Sequence, residues 1–100
     1  MPDLEPDPIL RRQATLPDGP AAAAILLQPL LAEAAGADAH PLSLTLDYGA
    51  PVPVGAAMAL EAWVDRATRT LVFAHGRLLT PAGEVAASGS AVFRRVIGQT

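Results

Sequence analysis

One hundred residues with a net charge of −3 and no cysteine amount to one small domain and exclude disulfides, thiolate catalysis and thiolate metal sites. The seven basic residues are scattered rather than blocked, so no stripe exists onto which a nucleic-acid backbone would release its counterions. An apolar content of 51% against 17% charged is core-rich for so small a chain, and predicts that a second subunit covers part of its surface.

Residues 1–8 (MPDLEPDP) combine three prolines with three acids and are expected to form a loose tail ahead of one domain over residues 9–100. That acidic start is the opposite of a basic, apolar leader. The most apolar stretch, Ala21 to Gly36, is interrupted by Gln28, Pro29 and Glu33 and is short for a bilayer. A soluble, cytoplasmic protein without membrane partners is the expectation.

Ile9 to Leu16 reads as a short first strand. Pro17-Asp18-Gly19-Pro20 then signals a helix start, with Asp18 or Gly19 as N-cap and Pro20 in the first turn. The run AAAAILLQPLLAEAA is rich in helix formers, and Gly36 is its natural stop. A helix with so little polar face must be buried on most sides, and its length would be about 25 Å at the usual rise. Pro29 removes a hydrogen bond to Ile25 and predicts a kink near Gln28.

Strands follow. Leu42, Leu44, Leu46 and Tyr48 alternate with Ser43, Thr45 and Asp47, and Tyr48 is expected to pack its ring into the core. Gly49 to Gly55 (GAPVPVG) is broken by proline and serves as a connection. Met58, Leu60, Ala62 and Val64 share one strand face, and Arg66 to Arg69 form the turn after it. Leu71, Phe73, His75, Arg77 and Leu79 share a face of the next strand. Thr80-Pro81-Ala82-Gly83 suits a hairpin, and Val85 to Val96 is the last strand. Small residues (AASGSA) fill the first half of that strand, and Ser88, Gly89 and Ser90 either admit a ligand or neighbouring backbone or leave room for the helix. The element order describes an α+β domain whose antiparallel sheet curls around one apolar helix.

The segments LSLTLDYGAPVPVG (42–55) and LEAWVDRATRTLVFAHGRLLTPAGEVAASGSAVFRR (60–95) resemble hotdog-fold acyl-CoA thioesterases of the phenylacetate-pathway type. Pro51, Val52, Gly55, Gly83, Ala86 and Phe93 fill the places of that family's Pro-Val-x-x-Gly turn and its final strand pattern. The resemblance implies a hotdog fold, hydrolysis of an acyl- or aryl-CoA thioester at a subunit interface, and a homodimer or dimer of dimers. No residue spacing suggests a metal site, and no cofactor is expected.

In such proteins a His-Gly-Gly at the helix start holds the thioester carbonyl through backbone N–H groups, and an acid two turns on activates water. Here the stretch is Asp18-Gly19-Pro20, and the acid's place falls at Leu27 or Gln28. Gln28 is the first candidate to position water, then Asp47, then Glu33, the helix's only carboxylate. Asp18, Gly19, Tyr48 and Ser88 are candidates to line the substrate, and Arg66 and Arg69 to meet the coenzyme phosphates. The plainer readings are Gln28 satisfying the carbonyl that Pro29 frees, Glu33 solvated, Asp47 an outward strand residue and the arginines ordinary strand-end charge. His40 reads as a loop residue and His75 as a packed or interface histidine. The alternatives to a hydrolase are a catalytically silent module that holds an acyl-CoA or small apolar ligand, and a structural subunit.

Overall fold

Alternating apolar residues and tight turns become a meander, and the two flanking strands are delivered to its edges by the helix and by the proline-rich connection. The computed structural model describes residues 9–96; the expected tail over residues 1–8 lies outside them. In chain order the elements are β1 (Leu10–Thr15), α1 (Ala22–Ala35), β2 (Ala39–Tyr48), β3 (Ala57–Ala67), β4 (Leu71–Leu79) and β5 (Val85–Arg95). They form one sheet in the order β1-β3-β4-β5-β2, antiparallel throughout.

The hairpins β3–β4 and β4–β5 close as the turn residues dictate. Thr68 N donates to Leu71 O at 2.7 Å, and Leu71 N donates back to the Thr68 hydroxyl at 3.0 Å. Gly83, at φ +88°, donates from its N to Thr80 O at 2.8 Å, a backbone conformation that favours glycine. The connection after β2 is no hairpin. It carries the chain from β2 at one edge of the sheet to β3, next to the other edge strand, anchored by Gly49 N on Ala86 O at 2.9 Å and by Gly55 N on Leu16 O at 2.8 Å.

The helix lies on one face of this sheet. Ala22, Ala23, Leu27, Leu30, Leu31 and Ala35 are buried against Met58, Leu60, Ala62, Val72, Ala74, Leu78, Ala87, Ala91 and Phe93. At its centre Gly76 of β4 pairs with Gly89 of β5, directly beneath Leu31. A Cβ on Gly76 would stand 2.9 Å from the Glu61 carbonyl oxygen and 3.2 Å from Leu31 Cδ2. On Gly89 it would stand 3.2 Å from Leu46 Cδ2 and 3.5 Å from Leu31 Cδ1. Of the two roles open to the small residues of β5, Gly89 therefore leaves room for the helix.

Several local expectations differ from the structure. The sheet covers one side of α1 only, and Ile25, Gln28, Pro29 and Ala32 on the other side are exposed. The helix N-cap is Ala21, without a side-chain cap bond. Gly19 takes the left-handed conformation (φ +107°) and its carbonyl accepts from Ala22 N, so the turn containing Asp18 and Pro20 precedes the helix. In β2 a bulge between Pro41 and Ser43 puts Leu42 out of the ladder, leaving it exposed. Tyr48 ends that strand at 67% exposure, not in the core, because α1 does not reach over it. β3 continues through Arg66 by way of a bulge, so the turn is Thr68–Thr70.

Overpacking a core trough usually costs about 1–3 kcal/mol, and each kcal/mol lowers the midpoint of a domain this size by roughly 4–8 °C. Gly76→Val and Gly89→Val are each expected to lower the thermal midpoint followed by circular dichroism by at least that interval. Ser90→Val, one residue along on the opposite face of the sheet, is expected to change it far less.

Candidate functional site

A cavity of about 320 Å³ opens where α1 begins. Its floor is made of buried side chains: Ala22 and Ala23 of the helix, Leu78 of β4, and Ala86 and Ala87 of β5. The segment Gly49 to Val52 passes over it, and Gly19, Pro20 and Tyr48 stand at its rim. A Cβ on Gly49 would sit 2.4 Å from the Val85 carbonyl oxygen, so only glycine lets this segment run close to β5. Tyr48 carries the only ionisable side chain in the lining, and the chamber is otherwise apolar, as small-molecule sites mostly are.

The helix end supplies the polar element. First-turn N–H groups have no acceptor within an α-helix. Those of Ala22 and Ile25 donate to the carbonyls of Gly19 and Ala21 at 3.2 and 2.9 Å. The N–H groups of Ala23 and Ala24 remain at this end, Ala23 lines the cavity, and the helix macrodipole adds positive potential there. The donor that Pro20 lacks belongs to the turn before the helix, so its absence leaves those of α1 untouched.

The structure brings Gly19 and Tyr48 together at this cavity and sets the other expected site residues elsewhere. Asp18 is exposed one residue before the rim. Asp47 and Ser88 face each other across β2 and β5 on the outer side of the sheet, away from the helix. Gln28 is exposed and lines a separate cleft of about 50 Å³ with Pro41, Ser43 and Leu44 of β2. Glu33 forms an ion pair with Arg12 and borders a third cavity, at the helix C-terminus, beside Arg95. Arg66 lies over the Phe73 ring, 4.6 Å from its centroid, and Arg69 is exposed in the β3–β4 turn. Phe73 is five residues from Leu78, which is about 17 Å along a strand, so both arginines belong to the end of the sheet away from the cavity.

Sequence reading misses the floor of the cavity, although its alanine-rich helix start and the Ala86-Ala87 pair are the available signal. It also misses a polar cluster on the outer sheet face. There Glu61, with 14% of its side chain exposed, accepts from Arg77 Nε at 2.7 Å and from Arg11 Nε at 3.3 Å. Beside it Trp63 Nε1 donates to Asp65 at 2.8 Å, and His75 Nδ1 is 3.0 Å from the Ser90 hydroxyl. Among the described residues no group of three or more His, Cys, Asp or Glu is placed to hold a metal ion.

The sequence model of a family described as the acyl-CoA thioesterase N-terminal domain matches residues 10–94. No curated protein matches. Among solved structures, a thioesterase superfamily protein is 22% identical with a TM-score of 0.78, over 86% of this chain and 48% of its own. This chain thus spans about half of that protein. A mutant of the phenylacetic acid degradation protein PaaI from Thermus thermophilus is 17% identical, with a TM-score of 0.77 over 93% of this chain and 90% of its own. A Streptococcus mutans protein bound to acetyl CoA is 10% identical, with a TM-score of 0.83 over 100% and 96%. At these identities the likeness is one of fold, and the fold is the hotdog.

The hydrogen bond from Arg77, with the Arg77 and Arg11 charges, holds the Glu61 carboxyl below its ordinary value near 4.5, against the opposing effect of burial. A carboxylate depressed in the folded state adds stability that is full above its unfolded value and disappears as pH falls through the folded one. Glu61→Gln is therefore expected to be less stable than the parent at about pH 6, with the gap narrowing as pH falls below 4.5. Urea midpoints measured across that range check this; a gap independent of pH would contradict it.

Proposed function

The chain belongs to the acyl-CoA thioesterase N-terminal domain family, and on that premise we propose that it binds an acyl-CoA thioester and hydrolyses it at the N-terminus of α1. The observation that carries this reading is the apolar cavity set directly against the first-turn N–H groups of the helix. A thioester carbonyl placed there accepts hydrogen bonds from Ala23 and Ala24. Attack by water makes a tetrahedral oxyanion, and those donors, already oriented and reinforced by the helix dipole, stabilise it. Collapse breaks the carbon–sulfur bond and releases the coenzyme thiol and the free acid, with the water's proton passing to a base.

In this proposal that base, or the group orienting the water, comes from outside the cavity of the same chain. Asp47 makes no ion pair among the described residues and is one residue from Tyr48 at the rim, whereas Glu33 is engaged by Arg12. Gln28 can orient water but cannot take its proton, and lies beside β2. Among the described residues the outer edge of β2 is open, since β2 ends the strand order. It is ten residues long, whereas β1 at the other edge is short and carries Arg11, Arg12 and Gln13, the features that discourage edge pairing. We therefore propose a homodimer formed along β2, which brings Gln28 and Asp47 to the subunit boundary. Exposed Ile25 on the outer helix face, at 54%, supports further cover in a dimer of dimers. Asp18 and Ser88 are proposed to flank the arm of the substrate, and Arg66 and Arg69 to meet only the distant nucleotide end. No helix among the described residues is long and apolar enough to cross a membrane. A chain without cysteine needs no oxidising compartment, and we propose the cytoplasm.

Thiol release from acyl-CoA thioesters, followed with a colorimetric reagent, tests the activity, and the absence of cysteine removes protein background. Gly49→Val is expected to displace the segment over the cavity and lower kcat/KM at least tenfold. Losing a positioned acid–base group typically costs about 10²-fold or more in kcat, which is the expectation for Asp47→Asn; Gln28→Ala should cost less. Sedimentation should show a dimer or tetramer, and a stable monomer at micromolar concentration would remove the proposed site boundary.

A further inference from the structure

We infer that the basic end of the sheet, where β3 turns into β4, is the docking surface for this chain's own acidic segment, residues 2–8. That segment holds three of the ten acids, Asp3, Glu5 and Asp7. The seven acids that remain balance the seven arginines, so the whole net charge of −3 resides in it. The inference is independent of the hydrolase reading.

Register builds the surface. Arg66 lies opposite Phe73 and over its ring, Arg94 pairs with Leu71, Arg69 is exposed in the turn, and Arg95 donates from Nη1 to Thr68 O at 3.3 Å. None of these four makes an ion pair among the described residues, whereas Arg11, Arg12 and Arg77 each do. Two carboxylates share this end. Asp65 already accepts from Trp63 Nε1 and stands 4.0 Å from His75 Nδ1, and Asp38 is exposed just before β2. Four cations beside two acids leave positive charge uncompensated. Residues 97–100, which follow at the same end, carry no charged side chain.

The direction of the chain brings the acids there. Leu16 N donates to Ala56 O, so the even-numbered residues of β1 turn their N–H groups towards β3. Pro8 has no N–H to give at the next such position, and the pairing ends at Leu10 opposite Ala62. From Trp63 to Ala67, β3 therefore has no neighbour on that side among the described residues. Proline also holds the residue before it extended, and Glu5 and Asp7 each precede one. Continuing the register sets Ile9 level with Trp63, and Arg66 is about 10 Å further along. Seven extended residues reach about 23 Å, enough to pass Arg66 and cross the turn at Arg69. An anion that reaches these arginines, the nucleotide end of a coenzyme included, then does so by displacing the segment.

The test compares the full chain with Asp3→Asn/Glu5→Gln/Asp7→Asn and with Asp18→Asn/Glu84→Gln, which neutralises two exposed acids at the other end of the sheet. Hydrogen exchange followed by mass spectrometry reads residues 63–71, and circular dichroism reads the thermal midpoint. Both are measured at low salt and at about 1 M, where charges more than about 3 Å apart are screened. At low salt the triple variant is expected to exchange residues 63–71 about threefold faster and to melt roughly 4 °C lower. At high salt both differences should vanish, and Asp18→Asn/Glu84→Gln should leave exchange in residues 63–71 unchanged throughout. In an Arg66→Gln/Arg69→Gln/Arg94→Gln background, neutralising the three acids should have no further effect. Should that background not fold, the salt dependence and the control decide. Equal exchange in the triple variant and the full chain at low salt, or the same loss in the arginine-depleted background, would overturn the docking. Protection that rises with protein concentration would place the segment on a second copy and overturn it as an intramolecular contact.

Discussion

Leu31 seats on two glycines, and the geometry of the domain follows from that contact. Gly76 and Gly89 face each other on the neighbouring strands β4 and β5; a Cβ on Gly76 would crowd the Glu61 carbonyl and Leu31, and one on Gly89 would press on Leu46 beside it. Around them the inward positions are small, Ala62, Ala74, Ala87 and Ala91, whereas the helix answers with Leu27, Leu30 and Leu31. Large side chains on the helix fit a trough of small ones on the sheet, which is how two layers reach interior packing density. The sheet can come this close to a helix axis only because its middle lacks side-chain bulk.

The cavity is the end of that same trough. The helix begins at Ala22, after the turn made by Gly19 and Pro20, and so stops short of Leu78, Ala86 and Ala87. What would have been core is left as an apolar floor. The segment from Gly49 to Val52 bridges it because Gly49 can run against the Val85 carbonyl without a side chain. The unpaired donors of the helix start and the uncovered floor are thus two consequences of where α1 begins. No dedicated element is needed to bring them together.

The strands of the meander were legible from their alternation: Met58, Leu60 and Ala62 are buried on β3, whereas on β4 the face picked out by alternation, Leu71 to Leu79, is the outer one and Val72, Ala74 and Leu78 are buried. Alternation says nothing about neighbours across the sheet, and the chain leaves β2 by a connection that passes two strands, β5 and β4, to reach β3. Tyr48 obeys the period and is exposed all the same, because a period assigns a face but not whether the helix covers that part of it. The helix was legible as a helix, and its exposed side was not, since alanine, isoleucine and proline there look no different from core residues. Glu61 could not be found at all without register: its partners Arg11 and Arg77 lie 50 and 16 residues away in sequence. The resemblance pointed to the helix start as the carbonyl site. The walls of the chamber had to wait for three elements to be placed around it.

In the proposed function, binding and chemistry occupy different parts of this molecule. A chamber whose one ionisable side chain is a tyrosine at its rim can hold an acyl group and polarise a carbonyl, but a strong base within it would itself be desolvated and lose its charge. Asp47 and Gln28 lie instead where solvent keeps them polar, one on the outer face of the sheet and one beside the open β2 edge. In the dimer proposed above, that edge is where a second copy approaches. A single chain then contains a complete chamber and an incomplete catalyst. On this division, changes in the chamber alter which acyl group is accepted, and changes along β2 alter whether the accepted thioester is cleaved.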